Sequence, residues 1–480
     1  MDIFTLWLGW VLVGACGAAI VALAYARSAL IAGEGAPAFV VGCGWFVGQF
    51  ALTLWMRAQS AVGVPFGVAS IGLPLLAVTA LTAWLALRRN RGSIVALLRD
   101  APRRFLGAGL VRRQRALWLA LVAWIGIRLA LLLLEVLRRP LYPWDAWTQW
   151  ATKARVWFEL RRMAPFVPLS DWLAAPAGSV YVDAAPHYPA TVPLTQTWSA
   201  TLLGRWDDAL VNLPWWLSGV AFGLALYGCL RQLRFGALAA LAGTWLVLSL
   251  PILDTHVALA GYADLAMAAY LTLAALSWLR FVQTREWPDL AIACVLSAAC
   301  VTIKNPGIVW VAMLVPGIVT AWLPRRGRML AAVAFAVAAA AALVLTETSV
   351  TILGYRLQLD YDMPWRGLFD AYLAYANWHL LFYGALAVTA LGWRRLLQPE
   401  VAPFTIIVAF GVAFLLFGFA FTNARIWVED QSTVNRATLH LAPLIVVWMM
   451  MAFRAWAEGL RNLDSPGDAV APREGMMPPA

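Results

Sequence analysis

Long apolar runs recur along the chain and constrain its fold more than any other feature. Runs of about 17 to 24 residues, each long enough to cross the hydrocarbon core of a bilayer, begin near residues 3, 38, 65, 116, 208, 236, 258, 288, 306, 329, 379, 402 and 438. Charged residues make up only 13% of the 480 residues, whereas soluble proteins normally contain about twice that share. The sequence therefore predicts an all-α polytopic membrane protein with about thirteen transmembrane helices.

Basic residues are concentrated in the short loops between these runs. Nine arginines and a single acid, Asp100, lie between residues 88 and 115, and the positive-inside rule places this loop in the cytoplasm. Alternation of the spans then places the loops near residues 231–234, 280–285, 325–328 and 394–395 on the same side, and each of them is basic. The arginines behind the net charge of +11 therefore set the membrane topology by their position in these short loops, and they predict no nucleic-acid partner.

The composition divides the chain into four parts. We expect residues 1–90 to form an N-terminal three-helix membrane segment, residues 91–115 a cytoplasmic arginine-rich loop, residues 116–457 the transmembrane core, and residues 458–480 a cytoplasmic disordered tail. Four segments fall on the outer side of the membrane: residues 139–207, 254–263, 348–378 and 423–437. The proline-rich passage from Pro165 to Pro193 should be an ordered but irregular loop.

An acid surrounded by tryptophans lies near the start of the first outer segment. At about 100° per residue, five side chains after Asp145 fall on one helix face: Trp147, Trp150, Ala154, Trp157 and Phe158. This pattern predicts a helix in the membrane interface, with its aromatic face at headgroup depth and with Lys153, Arg155 and Arg162 turned away or snorkelling. Asp145, at the first turn, is either a helix cap or a catalytic base.

Three more charged residues stand at the outer ends of predicted spans. Asp264 begins a span, where a carboxylate either caps the helix or marks a functional site. Lys304 ends a span, where the helix dipole alone favours a cation, but an inward-facing Lys304 would bind an anion. Arg436 begins the last span, where it either snorkels or pairs with phosphate.

The four histidines all fall on or near the outer face, and of these His187 and His256 are candidate site residues. Asp254, His256 and Asp264 supply oxygen and nitrogen ligands from one short segment, so a divalent cation is one interpretation of it. The five cysteines lie in apolar runs without paired spacing, and they predict neither a disulfide framework nor a zinc site.

Several short motifs lie in a definite order on the predicted outer side. After the acid and the interfacial helix come His187-Tyr188-Pro189 with Pro193-Leu194, then Tyr262-Ala263-Asp264-Leu265, and then Thr302-Ile303-Lys304-Asn305-Pro306-Gly307. Over about residues 116 to 457 this arrangement resembles the GT-C superfamily of polyprenyl-phosphate-dependent glycosyltransferases, in its family 39 and aminoarabinose-transferase-like branch. That family often has two adjacent acids in the first outer loop, whereas here Ala146 follows Asp145.

The resemblance implies a GT-C-like core and a role for each candidate residue. It implies that Asp145 and Asp264 are catalytic carboxylates, and that they could also hold a divalent cation such as Mg or Mn. It implies that Lys304 and Arg436 face the lipid phosphate. Four further residues are candidates for substrate binding: His187, Tyr188, His256 and Trp144.

The implied function is that of an inverting hexosyl- or pentosyltransferase in a bacterial inner membrane. It would move a sugar from a polyprenyl-phosphate donor to a hydroxyl of a glycan, lipid or protein acceptor at the periplasmic or extracellular face. A transporter or flippase for a lipid-linked or anionic substrate is the alternative, and it predicts interrupted helices and charges near mid-membrane. A non-catalytic scaffold would not need Asp145, Asp264, Lys304 and Arg436 to converge.

Overall fold

Helices make up most of the protein, as the apolar pattern predicts. A computed structural model describes residues 2–105, 110–324, 326–331, 333–334, 337, 349–352, 355–358 and 362–464. The structure is 79% helical, with only short strands in the described ranges. The predicted all-α class is therefore confirmed. The predicted disordered tail lies mostly outside the described residues, as does the apolar run that begins near residue 329.

Within the described ranges, eight helices are long and apolar enough to cross a membrane: Ile3–Tyr25, Ala36–Ala61, Val68–Arg99, Arg112–Arg138, Leu210–Gln232, Asp264–Thr284, Ala402–Phe421 and Thr433–Gly459. The pair Ala237–Leu248 and Pro251–Ala258, bent by 65°, makes a ninth if it is one broken span. Three shorter apolar helices are Trp287–Ile303, Gly307–Trp322 and Leu381–Gly392. The protein is embedded in a membrane, and the number thirteen stays a prediction.

Shorter elements connect these helices. Further α-helices in the described ranges are Ala101–Phe105, Ala151–Leu160, Leu169–Ala174, Thr191–Leu203, Trp365–Phe369 and Ile426–Glu429. Single turns of 3-10 helix occupy Ala29–Ala32, Leu210–Asn212, Ala376–Trp378 and Asn423–Arg425, and wider π-helical turns occupy Ala146–Trp150 and Asp370–Ala374. Two strand pairs complete the set: Phe166–Val167 runs parallel to Tyr181–Val182, and Ser349–Ile352 runs antiparallel to Tyr355–Gln358.

The first two helices pack closely against the rest of the bundle. A Cβ atom added at Gly42 would lie 2.3 Å from the backbone nitrogen of Ala225, so the helices Ala36–Ala61 and Leu210–Gln232 touch along their backbones. At the end of the second helix, Arg57 donates a hydrogen bond of 2.8 Å to the Thr191 hydroxyl. The division into a separate segment 1–90 stays a prediction, but these helices contribute directly to the core.

The proline-rich passage from Pro165 to Pro193 is ordered, and it is more regular than its sequence suggests. Residues 166–167 and 181–182 pair as parallel strands around the short helix Leu169–Ala174. The helix Thr191–Leu203 then begins before Pro193 and is almost entirely buried. Pro193 is compatible with this helix because it lies in the first turn, where its missing N–H has no intrahelical partner.

The helix after Asp145 differs from the expected interfacial helix in what its aromatic face contacts. Trp150, Ala154 and Trp157 do share a buried face, but that face packs on protein, since the Thr197 hydroxyl donates to the Ala154 carbonyl at 3.1 Å. Trp147 leaves this face because the π-helical turn 146–150 has more residues per turn than an α-helix. The expected arrangement of aromatic residues at headgroup depth is therefore wrong for this face.

Lys153 is also placed differently from the expectation of an outward or snorkelling side chain. It is buried, and its Nζ lies 2.5 Å from Oδ2 of Asp183 and donates to the Ala185 carbonyl at 2.8 Å. Burial lowers the pKa of Lys153, and the ion pair with Asp183 opposes that shift. Lys153 thus joins the helix Ala151–Leu160 to the outer loop.

The close packing of the second helix predicts a selective effect of added methyl groups. Gly42→Ala should reduce the free energy of unfolding by about 1–3 kcal/mol, because the new Cβ overlaps the backbone of Ala225. Thermal unfolding in detergent measures the change. Gly72→Ala is the matched control, since its added Cβ meets nothing within 4 Å and helix propensity alone favours alanine. Equal loss of stability in both variants would contradict the close approach.

Candidate functional site

A fully buried carboxylate organises the site. Asp264 is the first residue of the helix Asp264–Thr284, and its side chain has 0% exposure. Its Oδ1 accepts hydrogen bonds from Nζ of Lys304 at 2.8 Å and from Nε2 of His440 at 2.9 Å, and its Oδ2 accepts from Nε of Arg436 at 2.9 Å. These partners lie 40, 176 and 172 positions away in the chain. Both carboxylate oxygens are satisfied, as a buried charge requires.

Arg436 bridges the two predicted catalytic acids. Its Nη2 lies 2.6 Å from Oδ2 of Asp145, while its Nε binds Asp264. The guanidinium carbon also lies 4.3 Å from the centre of the Tyr262 ring, within cation–π range. Asp145 makes no side-chain hydrogen bond to the start of the following helix, so the cap interpretation fails. Asp145, Asp264, Lys304, Arg436 and His440 are called the Asp264 cluster below.

The backbone around Asp145 is held by a close approach to the loop before Asp264. Gly261 has a φ of +105°, and a Cβ atom there would lie 2.6 Å from Cβ of Ala146. Ala146 is itself fully buried and begins the π-helical turn. The position after Asp145 therefore has no room for a larger side chain, such as that of a second acid.

Lys304 is positioned by a break between two helices. The helix Trp287–Ile303 ends at Lys304, whose backbone is extended, and the next helix starts at Gly307. The end of the first of these two helices is tied to the helix Ala36–Ala61, because Arg57 donates to the Thr302 carbonyl at 3.4 Å. It is also tied to the helix Thr191–Leu203, because Thr191 donates to the Thr302 hydroxyl at 3.0 Å. These hydrogen bonds hold the turn from which Lys304 contacts Asp264.

Sequence reasoning missed two members of the site, His440 and Tyr262. His440 lies four residues after Arg436, so both side chains occupy the same face of their helix. That spacing was the available signal. Tyr262 packs between Arg436 and His256, with its ring centre 5.3 Å from the His256 ring. Burial raises the pKa of Tyr262, so its hydroxyl stays neutral at physiological pH.

Of the other predicted binding residues, His256 lies beside Asp264. His256 is buried, with Nε2 at 3.8 Å from Oδ2 of Asp264, and its Nδ1 pairs with the Ile252 carbonyl at 2.8 Å. Tyr188 packs edge-on against Trp150 at 5.2 Å, and His187 is exposed. Trp144 is 68% exposed, and its ring lies 5.2 Å from that of Trp147.

The carboxylates do not form a divalent-cation site as they stand. The guanidinium of Arg436 lies between Asp145 and Asp264, and Asp254 forms an ion pair with Arg128 instead of joining them. Across the described residues, no group of three or more His, Cys, Asp or Glu side chains is arranged to hold a metal. As these side chains are arranged, they do not fit the predicted Mg or Mn ion.

The Asp264 cluster differs in exposure from a second buried ion pair of the protein, Arg280 with Asp289. Arg280 and Asp289 form an ion pair whose side chains are 1% and 0% exposed, and Tyr25 seals it with a 2.5 Å hydrogen bond. In the Asp264 cluster, by contrast, Lys304, Arg436 and Asp145 are 13%, 20% and 25% exposed. Two cations and one carboxylate of the Asp264 cluster are therefore partly accessible, unlike the sealed Arg280–Asp289 pair. Comparison of the chain with family models, with curated proteins and with solved structures finds no match.

Removing the buried charge should destabilise the protein. Asp264→Asn leaves Lys304 and Arg436 without their shared anion, so we expect a loss of about 3–5 kcal/mol in the free energy of unfolding. Chemical denaturation in detergent measures it. Asp171→Asn is the control, because Asp171 is an exposed acid of the outer loop and its loss should cost less than about 1 kcal/mol. Similar losses of stability in the two variants would contradict the central role of the Asp264 carboxylate in the cluster.

The contact between Gly261 and Ala146 can be tested separately. Gly261→Ala should destabilise the protein more than Gly178→Ala, because both glycines have positive φ but only the first has a neighbour within 4 Å. Adding Ala146→Gly should recover part of the loss by removing the clashing Cβ. Melting temperatures of the two single variants and the double variant give the coupling, and strictly additive effects would contradict the contact.

Proposed function

We propose that this protein is an inverting glycosyltransferase that uses a polyprenyl-phosphate sugar as donor. The observation that carries the proposal is the meeting of Asp145, Lys304 and Arg436 around the buried Asp264. These four residues come from four separate segments, and they are the residues to which the resemblance to the GT-C superfamily assigns chemistry. A non-catalytic scaffold has no need for partly exposed charges of both signs at one point.

The proposed reaction is a direct displacement at the anomeric carbon. Asp145 accepts the proton of the acceptor hydroxyl, and the oxygen of that hydroxyl forms the new bond to the anomeric carbon. The bond from this carbon to the phosphate oxygen breaks, and the polyprenyl phosphate leaves with the electron pair. Lys304 and Arg436 offset the charge that grows on the phosphate. A single displacement inverts the configuration of the sugar.

Asp264 serves this reaction as a positioning residue. Because its carboxylate has no exposure, it acts through Lys304 and Arg436, whose cationic groups it holds. Arg436 also contacts Asp145, so release of that contact on donor binding would free the Asp145 carboxylate to act as the base. The donor phosphate would take the place of Asp145 beside the guanidinium, since arginine binds carboxylate and phosphate with the same planar fork.

We place the reaction on the outer face of a bacterial inner membrane, on the strength of the arginine-rich loops. Asp264 and Arg436 begin helices, whereas Lys304 ends one, as expected for alternating spans whose ends share a membrane side. The donor would enter from the bilayer with its phosphate at the Asp264 cluster. The acceptor hydroxyl would belong to a glycan, a lipid or a protein.

One feature favours the alternative of a transporter or flippase. The pair Ala237–Leu248 and Pro251–Ala258 is broken by a 65° bend, and Asp254 beyond the break pairs with Arg128 on a neighbouring candidate span. Broken helices with charged residues are typical of transporters. Transport would leave the lipid-linked sugar chemically intact, and this separates the two functions.

The proposal predicts a chemical change that depends on Asp145. Deletion of the gene should remove one sugar from a surface glycan or lipid and cause one lipid-linked monosaccharide to accumulate, both measured by mass spectrometry. The wild-type gene should restore the sugar, whereas Asp145→Asn should restore at most about 1% of transfer, because general-base catalysis contributes about 10²–10⁴-fold.

Two controls keep that experiment specific. The Asp145→Asn protein should reach the membrane in normal amounts with a nearly unchanged melting temperature, since Asp145 is partly exposed. Asp171→Asn should restore transfer fully. Full transfer by Asp145→Asn would end the proposal, and an intact lipid-linked sugar that changes only its membrane side would favour the transporter.

A further inference from the structure

A cavity of about 740 Å³ lies beside the helix Ala151–Leu160, away from the Asp264 cluster. Three arginines line it together with one acid: Arg155, Arg161, Arg205 and Glu159. Its volume falls within the range of about 300–1,000 Å³ that is usual for small-molecule sites. Neither the sequence motifs nor the proposed reaction uses this cavity.

Three parts of the chain hold the walls of the cavity in place. The backbone N–H of Phe66, in the loop after the second helix, donates to the Arg161 carbonyl at 2.7 Å. The N–H of Met163 donates to the Ser60 hydroxyl at 3.0 Å in the same region. The helix Thr191–Leu203, whose end forms the third wall, is joined to the helix Ala151–Leu160 by hydrogen bonding and packing. The cavity is thus built by packed elements.

The charge of the cavity is positive. Arg205 is partnered by Asp207 at 3.3 Å. Arg155 and Arg161 are exposed, and within the described part of the chain neither forms an ion pair. Two guanidinium groups are therefore available for a ligand, each with several N–H donors suited to phosphate oxygens.

One wall of the cavity lies at the start of a candidate membrane span. Phe66 and Gly67 line it immediately before the candidate span Val68–Arg99, so this wall stands where the chain enters the membrane. Phe158 adds an apolar side chain to the lining, which suits a ligand with both polar and apolar parts. Arg155 follows Asp145 by ten residues, which corresponds to about 15 Å along a helix.

We propose that this cavity, with Arg155 and Arg161 as its anion-binding side chains, is a second site that binds a phosphate-bearing ligand. The phosphate belongs either to an anionic lipid headgroup or to a soluble phosphate compound, since both present the same oxygens to the guanidinium groups. The inference does not rest on the proposed glycosyl transfer, because binding here is measured without any reaction.

Binding is tested with two probes on the full-length protein. Phosphatidylglycerol retained from mixed nanodiscs with phosphatidylcholine is counted by native mass spectrometry, and inorganic phosphate is titrated by calorimetry in detergent. The double variant Arg155→Gln with Arg161→Gln should weaken binding of at least one probe by about tenfold or more, because charged hydrogen bonds are lost. The same binding should weaken as salt is raised.

Arg162→Gln is the matched control, because Arg162 adjoins Arg161, is exposed, and does not line the cavity. It should change binding by less than about twofold, and all variants should melt close to the wild type, since the altered side chains are exposed. Loss of lipid binding alone identifies a headgroup site, and loss of phosphate binding alone identifies a soluble ligand. The proposal is overturned if neither probe binds, if the double variant binds as the wild type does, or if Arg162→Gln weakens binding equally.

Discussion

The complete burial of the Asp264 carboxylate requires the surrounding chain to supply hydrogen-bond partners for it. Asp264 would carry a large desolvation penalty unless both of its oxygens were paired. Lys304, immediately after one helix, and Arg436 and His440, on another, meet that need. Because those helices must bring their ends to one point, the pairing also determines where two partly exposed cations and Asp145 stand. The geometry of the candidate site is therefore a consequence of satisfying one buried charge.

Secondary supports keep these groups in place. Gly261 lets the backbone at Ala146 approach the loop before Asp264, which fixes Asp145 in front of Arg436. Arg57 and Thr191 brace the turn that carries Lys304, so the first helices contribute to the site although none of its charged groups belongs to them. Lys153 and Asp183 join the neighbouring helix to the outer loop. Each support acts between segments that are remote in the sequence.

The sequence alone was enough to predict the charged residues of the site, but not all of the residues around them. A charge at the end of an apolar run is costly unless it is hydrated or paired, so it usually marks a functional site. This is why four residues stand out in the sequence: Asp145, Asp264, Lys304 and Arg436. His440 was passed over, although its spacing from Arg436 places both on one helix face. The burial of Lys153 could not be foreseen, because its partner Asp183 follows an irregular passage whose path local pattern does not determine. The turn at Ala146–Trp150 likewise moved Trp147 off the face that regular helical spacing predicts.

The sequence by itself determined that the chain is helical and embedded in a membrane, because the length and composition of apolar runs decide which segments can be buried in lipid. It also indicated which polar residues stand at span ends. Only the tertiary structure decided that Arg436 bridges Asp145 and Asp264, that the space after Asp145 is closed by Gly261, and that a separate arginine-lined cavity exists. Such arrangements depend on which helix ends pack together, and that choice is made by contacts between distant segments rather than by any local run of residues.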